Sequence, residues 1–251
     1  MKNEVEYVYD SKGFGTIFID RAEKKNAISG DMAKKLNVLI DKIEIDKISF
    51  LVINSAESNV FCAGGDLNDL NGDLTNDEAY EDLEPMKEFL FKLATFPLPT
   101  IGLLHGIALG GGCELATACD FRIAREGTRF GFVQANLGIL PGWGGGALLH
   151  EKVATSFAYQ WLLDAEVYDA DYLLEKGWIH KIIPTNQWNE ETIIEAYLKR
   201  SRGQMLHLKS QYLEQIDQEK IYAEMDLESR RSASLWESEE HKSAVAAFLK
   251  K

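Results

Sequence analysis

TIGLLHGIALGGGCELATACD, residues 100–120, is the stretch whose reading decides the fold. Thr100 to Leu104 is an apolar, β-prone run that breaks at Gly106. A second short run, Ile107 to Leu109, meets Gly110, Gly111 and Gly112. A small-residue helix, Cys113 to Ala118, follows. Glycines at such a junction let the backbone come close to a ligand and leave N–H groups facing outward. The helix start adds unpaired N–H donors and a partial positive charge. The combination suits an oxyanion or a phosphate. Glu114 falls in the first helical turn, where a carboxylate reaches the same point. A plainer reading is close helix–strand packing, with a Glu that merely suits a helix start. One glycine cluster does not separate the two.

N-terminal to this stretch, Glu4 to Asp10 and Gly15 to Asp20 read as strands around the turn Ser11-Lys12-Gly13. Ser29 or Asp31 caps a helix with the apolar face Met32, Leu36, Leu39, Ile40 and Ile43. FLVIN, within Ser49 to Ser55, reads as a fully buried strand. Phe61 to Leu67, FCAGGDL, is a second glycine turn after a strand. Asn68 to Glu88 is acidic, is interrupted by Gly72 and Pro85, and reads as solvated cover. Met86, Phe89, Leu90 and Leu93 then give a helix face that ends before Pro97.

C-terminal to it, Asp120 to Ala124 and Phe130 to Val133 read as strands. Leu140 to Gly146, LPGWGGG, is a third glycine-rich turn, and it opens a helix. Strands and helices alternate through Ile183, which predicts a largely parallel α/β core. After Pro184 only helical faces appear: Ile193, Ile194, Tyr197 and Leu198, then Met205, Leu208 and Leu213, then Ile221, Met225 and Trp236. The predicted organisation is a core over 1–184 and a helical region over 185–251 that docks on the core or on another subunit.

Composition narrows the function. The 251 residues carry 27 basic and 40 acidic side chains, a net charge of −13. That disfavours nucleic acid and anionic membranes, which need basic surface. It leaves room for an anionic small molecule. Cys62, Cys113 and Cys119 sit in apolar, small-residue contexts without metal-ligand spacing, so free buried thiols and no metal are expected. MKNEVEYVYD has no apolar signal core, and no run has the length of a membrane span. A soluble, cytoplasmic protein is the expectation.

Three segments together resemble the crotonase (enoyl-CoA hydratase/isomerase) family: FCAGGDL at 61–67, ALGGGCELATACD at 108–120 and FGFVQANLGILPGWGGG at 130–146. The tail SEEHKSAVAAFLKK at 238–251 is similar to that family's C-terminal helix. Several spaced motifs in consistent order are far more specific than one glycine cluster. The resemblance implies repeated ββα units in a spiral core and a C-terminal helical region that trimerises, giving a homotrimer or a dimer of trimers. It implies an acyl-CoA substrate and no permanently bound cofactor, the coenzyme A arriving with the substrate. It implies an oxyanion hole formed by the N–H groups of Ala63 and Gly111. Such donors are worth roughly 3–4 kcal/mol each in other acyl-transfer enzymes. It places Lys24, Ala27, Asp66 and Leu67 along the coenzyme, with Phe248 and Lys251 reaching it from a neighbouring subunit. Trp143 is expected in the acyl pocket or in plain packing, and His105 as a packed residue.

One departure bears on the reaction. Two-carboxylate hydratases of the family carry one Glu in GGGCEL, here Glu114, and another where this chain has Gln134. Hydration needs one group to deprotonate water and another to deliver a proton. Gln134 hydrogen-bonds but exchanges no proton at neutral pH. Decarboxylation of a 2-carboxyacyl-CoA asks for less: carbon dioxide leaves, the oxyanion hole holds the enolate, and Glu114 protonates it. GGDLNDL, GGGCELATACDFR and NLGILPGWGGG are especially similar to the ethylmalonyl-CoA/methylmalonyl-CoA decarboxylase branch, although that branch is not uniform at the Gln134 position. Decarboxylation is therefore the favoured expectation. The alternatives are a hydratase that uses Glu114 with Gln134 orienting water, and a non-catalytic acyl-thioester scaffold. A dinucleotide enzyme is disfavoured, because no G-x-G-x-x-G opens the first βα unit.

Overall fold

The structure, a computed structural model, describes residues 3–56, 59–66 and 74–248. In chain order its strands are β1 (Val5–Asp10), β2 (Phe14–Ile19), β3 (Leu51–Ser55), β4 (Val60–Cys62), β5 (Thr100–Leu104), β6 (Ile107–Leu109), β7 (Phe121–Arg125), β8 (Arg129–Gly131), β9 (Tyr168–Asp169) and β10 (Lys181–Ile183). Its helices are α1 (Gly30–Asp41), α2 (Asn76–Ala94), α3 (Gly111–Ala118), α4 (Gly145–Lys152), α5 (Thr155–Asp164), α6 (Ala170–Glu175), α7 (Glu190–Leu198), α8 (Arg202–Leu213), α9 (Gln218–Ala233) and α10 (Glu239–Phe248).

The strands form two sheets, ordered β1-β2-β3-β5-β7-β10 and β4-β6-β8-β9. Each pass of the chain lays one strand in the large sheet, the next in the small sheet, and then a helix. The passes are β3–β4–α2, β5–β6–α3 and β7–β8–α4. Repetition of that unit makes the spiral expected from the sequence. Pairing is parallel except at β1–β2 and β8–β9. β3 lies between β2 and β5 with every residue buried, as its unbroken apolar run predicts. Ser29 caps α1: its Oγ accepts from the Met32 N–H at 3.3 Å.

Residues 68–73 of the acidic stretch lie outside the described residues, and the rest departs from expectation. α2 starts at Asn76 and runs through Pro85 to Ala94, where the sequence suggested solvated cover as far as Glu88. A capping box starts it: Thr75 Oγ1 accepts from the Glu78 N–H, and the Glu78 carboxylate accepts from the Thr75 N–H. Ala79 and Leu83 are buried with Met86, Phe89, Leu90 and Leu93, so the apolar stripe extends a full turn and more before Pro85.

The helices after Pro184 bury their faces on the core. Ile193, Ile194 and Met205 join Phe14, Phe50, Val52 and Ile101 on one side of the large sheet. Ile221, Met225 and Trp236 enter the main core cluster. Leu208, expected on a buried face, is 59% exposed. The three cysteines are free and buried. Among the described residues, no helix is long and apolar enough to cross a membrane.

α9 is fixed to α2 by a buried ion pair. Lys87 Nζ donates to Asp226 at 2.6 Å and to the Tyr80 hydroxyl at 3.3 Å, with its side chain only 1% exposed. Burial works against the Asp226 charge, but hydrogen bonds from Lys87, Tyr80 and Arg230 outweigh it and hold the carboxyl below its ordinary range. Asp226→Ala removes the shorter of the two carboxylate contacts of buried Lys87 and leaves only Glu88, at 3.6 Å. It should destabilise the chain by about 3 kcal/mol in urea unfolding. A loss under about 1 kcal/mol would mean that α9 is held by its apolar face alone.

Candidate active site

Glu114 lies in the first turn of α3 and is 2% exposed. Its Oε2 accepts from the Trp143 and Gly145 N–H groups, each at 2.9 Å. Its Oε1 accepts from Gln134 Nε2 at 2.9 Å and, longer, from the Gly142 N–H at 3.4 Å. Donors from two segments, at 134 and at 142–145, thus converge on one carboxylate of a third. Burial pushes its pKa up to about 7, against the pull of these hydrogen bonds toward the charged form. The group is therefore poised to give or take a proton near neutrality.

The sequence builds this arrangement locally. Gly145 is required by close approach: a Cβ there would stand 2.3 Å from Glu114 Cβ. Gly112 is required in the same way, since a Cβ there would stand 2.1 Å from the Cys62 carbonyl oxygen. That contact locks the turn after β4 to the start of α3. At the other end of α3, the buried Arg122 guanidinium donates to the carbonyls of Ala116, Thr117 and Cys119. It caps carbonyls that would otherwise lack partners.

A cavity of about 420 Å³ opens beside Glu114. Ala63, Gly64, Gly111, Glu114 and Gln134 line it, so the residues singled out in the sequence do come together. Its walls are largely apolar, with Leu83 from α2, Trp143 from the third glycine turn and Trp236 from beyond α9. The sequence did not point to Leu83 or Trp236. Larger clefts of about 630 and 590 Å³ lie elsewhere and contain none of the glycine turns.

The two expected oxyanion donors differ. The Gly111 N–H donates to no described group and is the first N–H of α3. The Ala63 N–H is already used: it donates to the Lys25 carbonyl at 3.1 Å. This corrects the expectation of two uncommitted donors. Its cause is the loop after β2, which turns back through two left-handed residues, Lys25 (φ 55°) and Asn26 (φ 53°). Buried Asn26 holds the turn by donating to the Ala56 and Val60 carbonyls and accepting from the Arg21 N–H.

The expected coenzyme contacts fare unevenly. Lys24 is exposed and Ala27 is buried; neither lines the cavity, whereas Lys25 does. Asp66 is 6% exposed and accepts from Arg21 Nη1 at 2.7 Å, so its carboxylate is committed to pinning this loop. Leu67, Lys251 and the Phe248 side chain lie outside the described residues. His105 is buried with its ring edge-on to Phe61, as packing predicts.

Residues 10–251 match the family described as enoyl-CoA hydratase/isomerase. The chain belongs to this, the crotonase family. Among its relatives, the mitochondrial methylglutaconyl-CoA hydratase of Mus musculus is 33% identical over 179 residues, covering 71% of this chain and 57% of that protein. The chain thus spans little more than half the length of that relative. The short-chain-enoyl-CoA hydratase of Clostridium acetobutylicum is 30% identical over 237 residues, 94% of this chain and 90% of that one. The ethylmalonyl-CoA decarboxylase of Gallus gallus is 33% identical over 168 residues, 67% of this chain and 57% of that protein. An enoyl-CoA hydratase crystal structure from Bacillus halodurans shares the fold, with a TM-score of 0.86 at 22% identity over 98% of this chain and all of that one.

Gly145→Ala tests whether the helix end holds Glu114. The added methyl displaces the carboxylate and should cost about 1–3 kcal/mol in unfolding. Acyl-CoA turnover should fall by at least ten-fold. Unchanged stability together with unchanged turnover would show that Glu114 tolerates displacement.

Proposed function

We propose that this crotonase-family enzyme decarboxylates a 2-carboxyacyl-CoA. The observation that carries this reading is a single cavity-facing carboxyl, Glu114, whose partner in the site is an amide. Gln134 Nε2 is spent on Glu114, so Glu114 is the one carboxyl among the described lining residues that can deliver a proton. Among the described lining residues Lys25 is the one cation; a substrate carboxylate placed against Leu109, Val133, Ile139 and Trp143 instead finds an apolar wall. An unpaired charge in such surroundings is raised in energy, and loss of carbon dioxide removes it.

In this reading the C–C bond to the carboxylate breaks and its electron pair moves onto the thioester as an enolate. The Gly111 N–H receives the developing negative oxygen. The Ala63 N–H joins it when the substrate oxygen displaces the Lys25 carbonyl. Glu114 then gives its proton to Cα, and water restores it.

A second reading, hydration, is favoured by a different observation. Gln134 Oε1 is buried and has no hydrogen-bond partner, so it is an acceptor free to orient a water. The hydratases among the relatives agree with it. A trimer, and a role for Lys24, Lys251 and Phe248 in holding coenzyme A, remain parts of the proposal that rest on resemblance.

A panel of thioesters read by mass spectrometry decides between the two. Methylmalonyl- or ethylmalonyl-CoA should lose carbon dioxide faster than crotonyl-CoA gains water. Fast hydration with no carbon dioxide release would overturn the decarboxylase reading in favour of hydratase. Because the acid form of Glu114 is the reactive one, decarboxylation should be fastest on the acid side of neutrality and decline as pH rises and the proton is lost. Gln134→Glu should raise hydration by about ten-fold or more by supplying a second proton-exchanging group. No gain would mean that hydration is limited elsewhere.

A further inference from the structure

The turn that holds Glu114 has a second carboxylate behind it. α9 turns Met225, Glu228, Ser229 and Ser232 toward residues 140–147, at three- and four-residue spacing. Met225 packs over Gly144, where an added Cβ would meet it at 2.6 Å. Ser229 Oγ donates to the Gly142 carbonyl at 2.7 Å, and Ser232 Oγ to the Leu140 carbonyl at 2.8 Å. Glu228 Oε1 accepts from the Gly146 N–H at 3.1 Å, and its carboxylate also takes the Ala147 N–H. Glu114 takes the N–H of the residue just before, Gly145. Three consecutive N–H groups of the first turn of α4 therefore serve two carboxylates, one from α3 and one from α9.

A helix end carries only about half a positive charge. It does not neutralise two carboxylates, one buried and one half-buried, and like charges on adjoining N–H groups disfavour full ionisation of both. Burial and the neighbouring Glu114 charge both push the Glu228 carboxyl well up. The other charged or titratable groups around Glu228 are Lys220, Glu224 and Arg231 on α9, and His150 and Glu151 on α4. They line the same outer cleft of about 550 Å³, and among the described residues none forms an ion pair with Glu228. Gln134, Ile139 and Leu140 border both this cleft and the inner cavity.

We propose that Glu114 and Glu228 act as one proton-holding pair on the N-terminus of α4, with Glu228 the positioning residue that keeps a proton at the site through neutral pH. The inference rests on the reading of Glu114 as the acid of this site. It restores, from behind the wall, the second carboxyl that Gln134 does not provide. When Glu114 gives its proton to Cα, both members of the pair become anionic on one helix end. That state favours rapid uptake of a proton from water in the outer cleft, which completes the balance.

Glu228→Gln keeps the shape and an acceptor oxygen for Gly146 but removes the charge. The pH profile of thioester turnover should then lose activity earlier on its alkaline side, by about one pH unit, while changing little on its acid side. A profile lowered evenly at every pH, or one that keeps its alkaline midpoint, would overturn the proposal, because a merely structural Glu228 gives that result. ¹³C-carboxyl NMR of glutamate-labelled protein reads the pair without any substrate. The wild-type chain should show two linked titration steps for Glu114 and Glu228, and Glu228→Gln should show one. Two independent steps near the ordinary Glu value of about 4.3 in the wild type would overturn the pair even if the variant failed to fold. Because that reading needs no turnover, it separates failure of the pair from failure of the proposed reaction.

Discussion

The structure depends on one constraint: a carboxylate placed on the exposed donors of a helix start, away from water. An ionised carboxylate buried alone costs several kcal/mol. Here the cost is offset by Gln134, Trp143 and Gly145, with a longer contact from Gly142. Those donors exist as a set only when α3, the segment at 134–137 and the start of α4 are all in place. The chain secures each in turn. Gly112 closes against the first turn, Arg122 caps the far end of α3, and α9 clamps the third turn through Met225, Ser229 and Ser232. α9 is itself tied to α2 by Lys87 and Asp226. A helix remote in sequence thus braces the turn whose N–H groups hold Glu114 in the cavity.

The same geometry sets the proton affinity of that one carboxyl. Burial opposes the charge and the donors support it, so the balance falls near neutrality. The Gly111 N–H lines the same cavity and donates to no described group. The Lys25 carbonyl takes the Ala63 N–H; in the proposed reaction the substrate's own carbonyl replaces it. Exchange of one acceptor for another leaves the N–H hydrogen-bonded throughout, so the step costs much less than exposing a bare donor.

Much of the fold is legible in the sequence, because the signals for it are local. β3 announced itself by an unbroken apolar run, α1 by Ser29 and its helical spacing, and the three glycine turns by residues that permit close approach. The start of α2 was harder to see. Its acidic residues suggest a solvated segment, and the decisive signal was the Thr75–Glu78 capping box upstream of Pro85. Ala63 and Gly111 were placed in one cavity correctly, but the Lys25 carbonyl was invisible, because two left-handed non-glycine residues put it there. Glu228 was hidden for a related reason. Its partner is a backbone N–H 82 residues away, and in QEKIYAEMDLESRRSA it looks like one more charge on a solvated face. The stripe Met225–Ser229–Ser232 is the one sequence trace of that contact.

The central claim is that Gly111 and Glu114 address the same thioester from two sides. The most direct measurement is a crystal structure with an unreactive 2-carboxyacyl-CoA analogue bound. The account predicts the thioester oxygen about 3 Å from the Gly111 nitrogen, Cα facing the Glu114 carboxyl, and the Lys25 carbonyl withdrawn from Ala63. A thioester seated away from Gly111, or a Glu114 carboxyl turned from Cα, would contradict it.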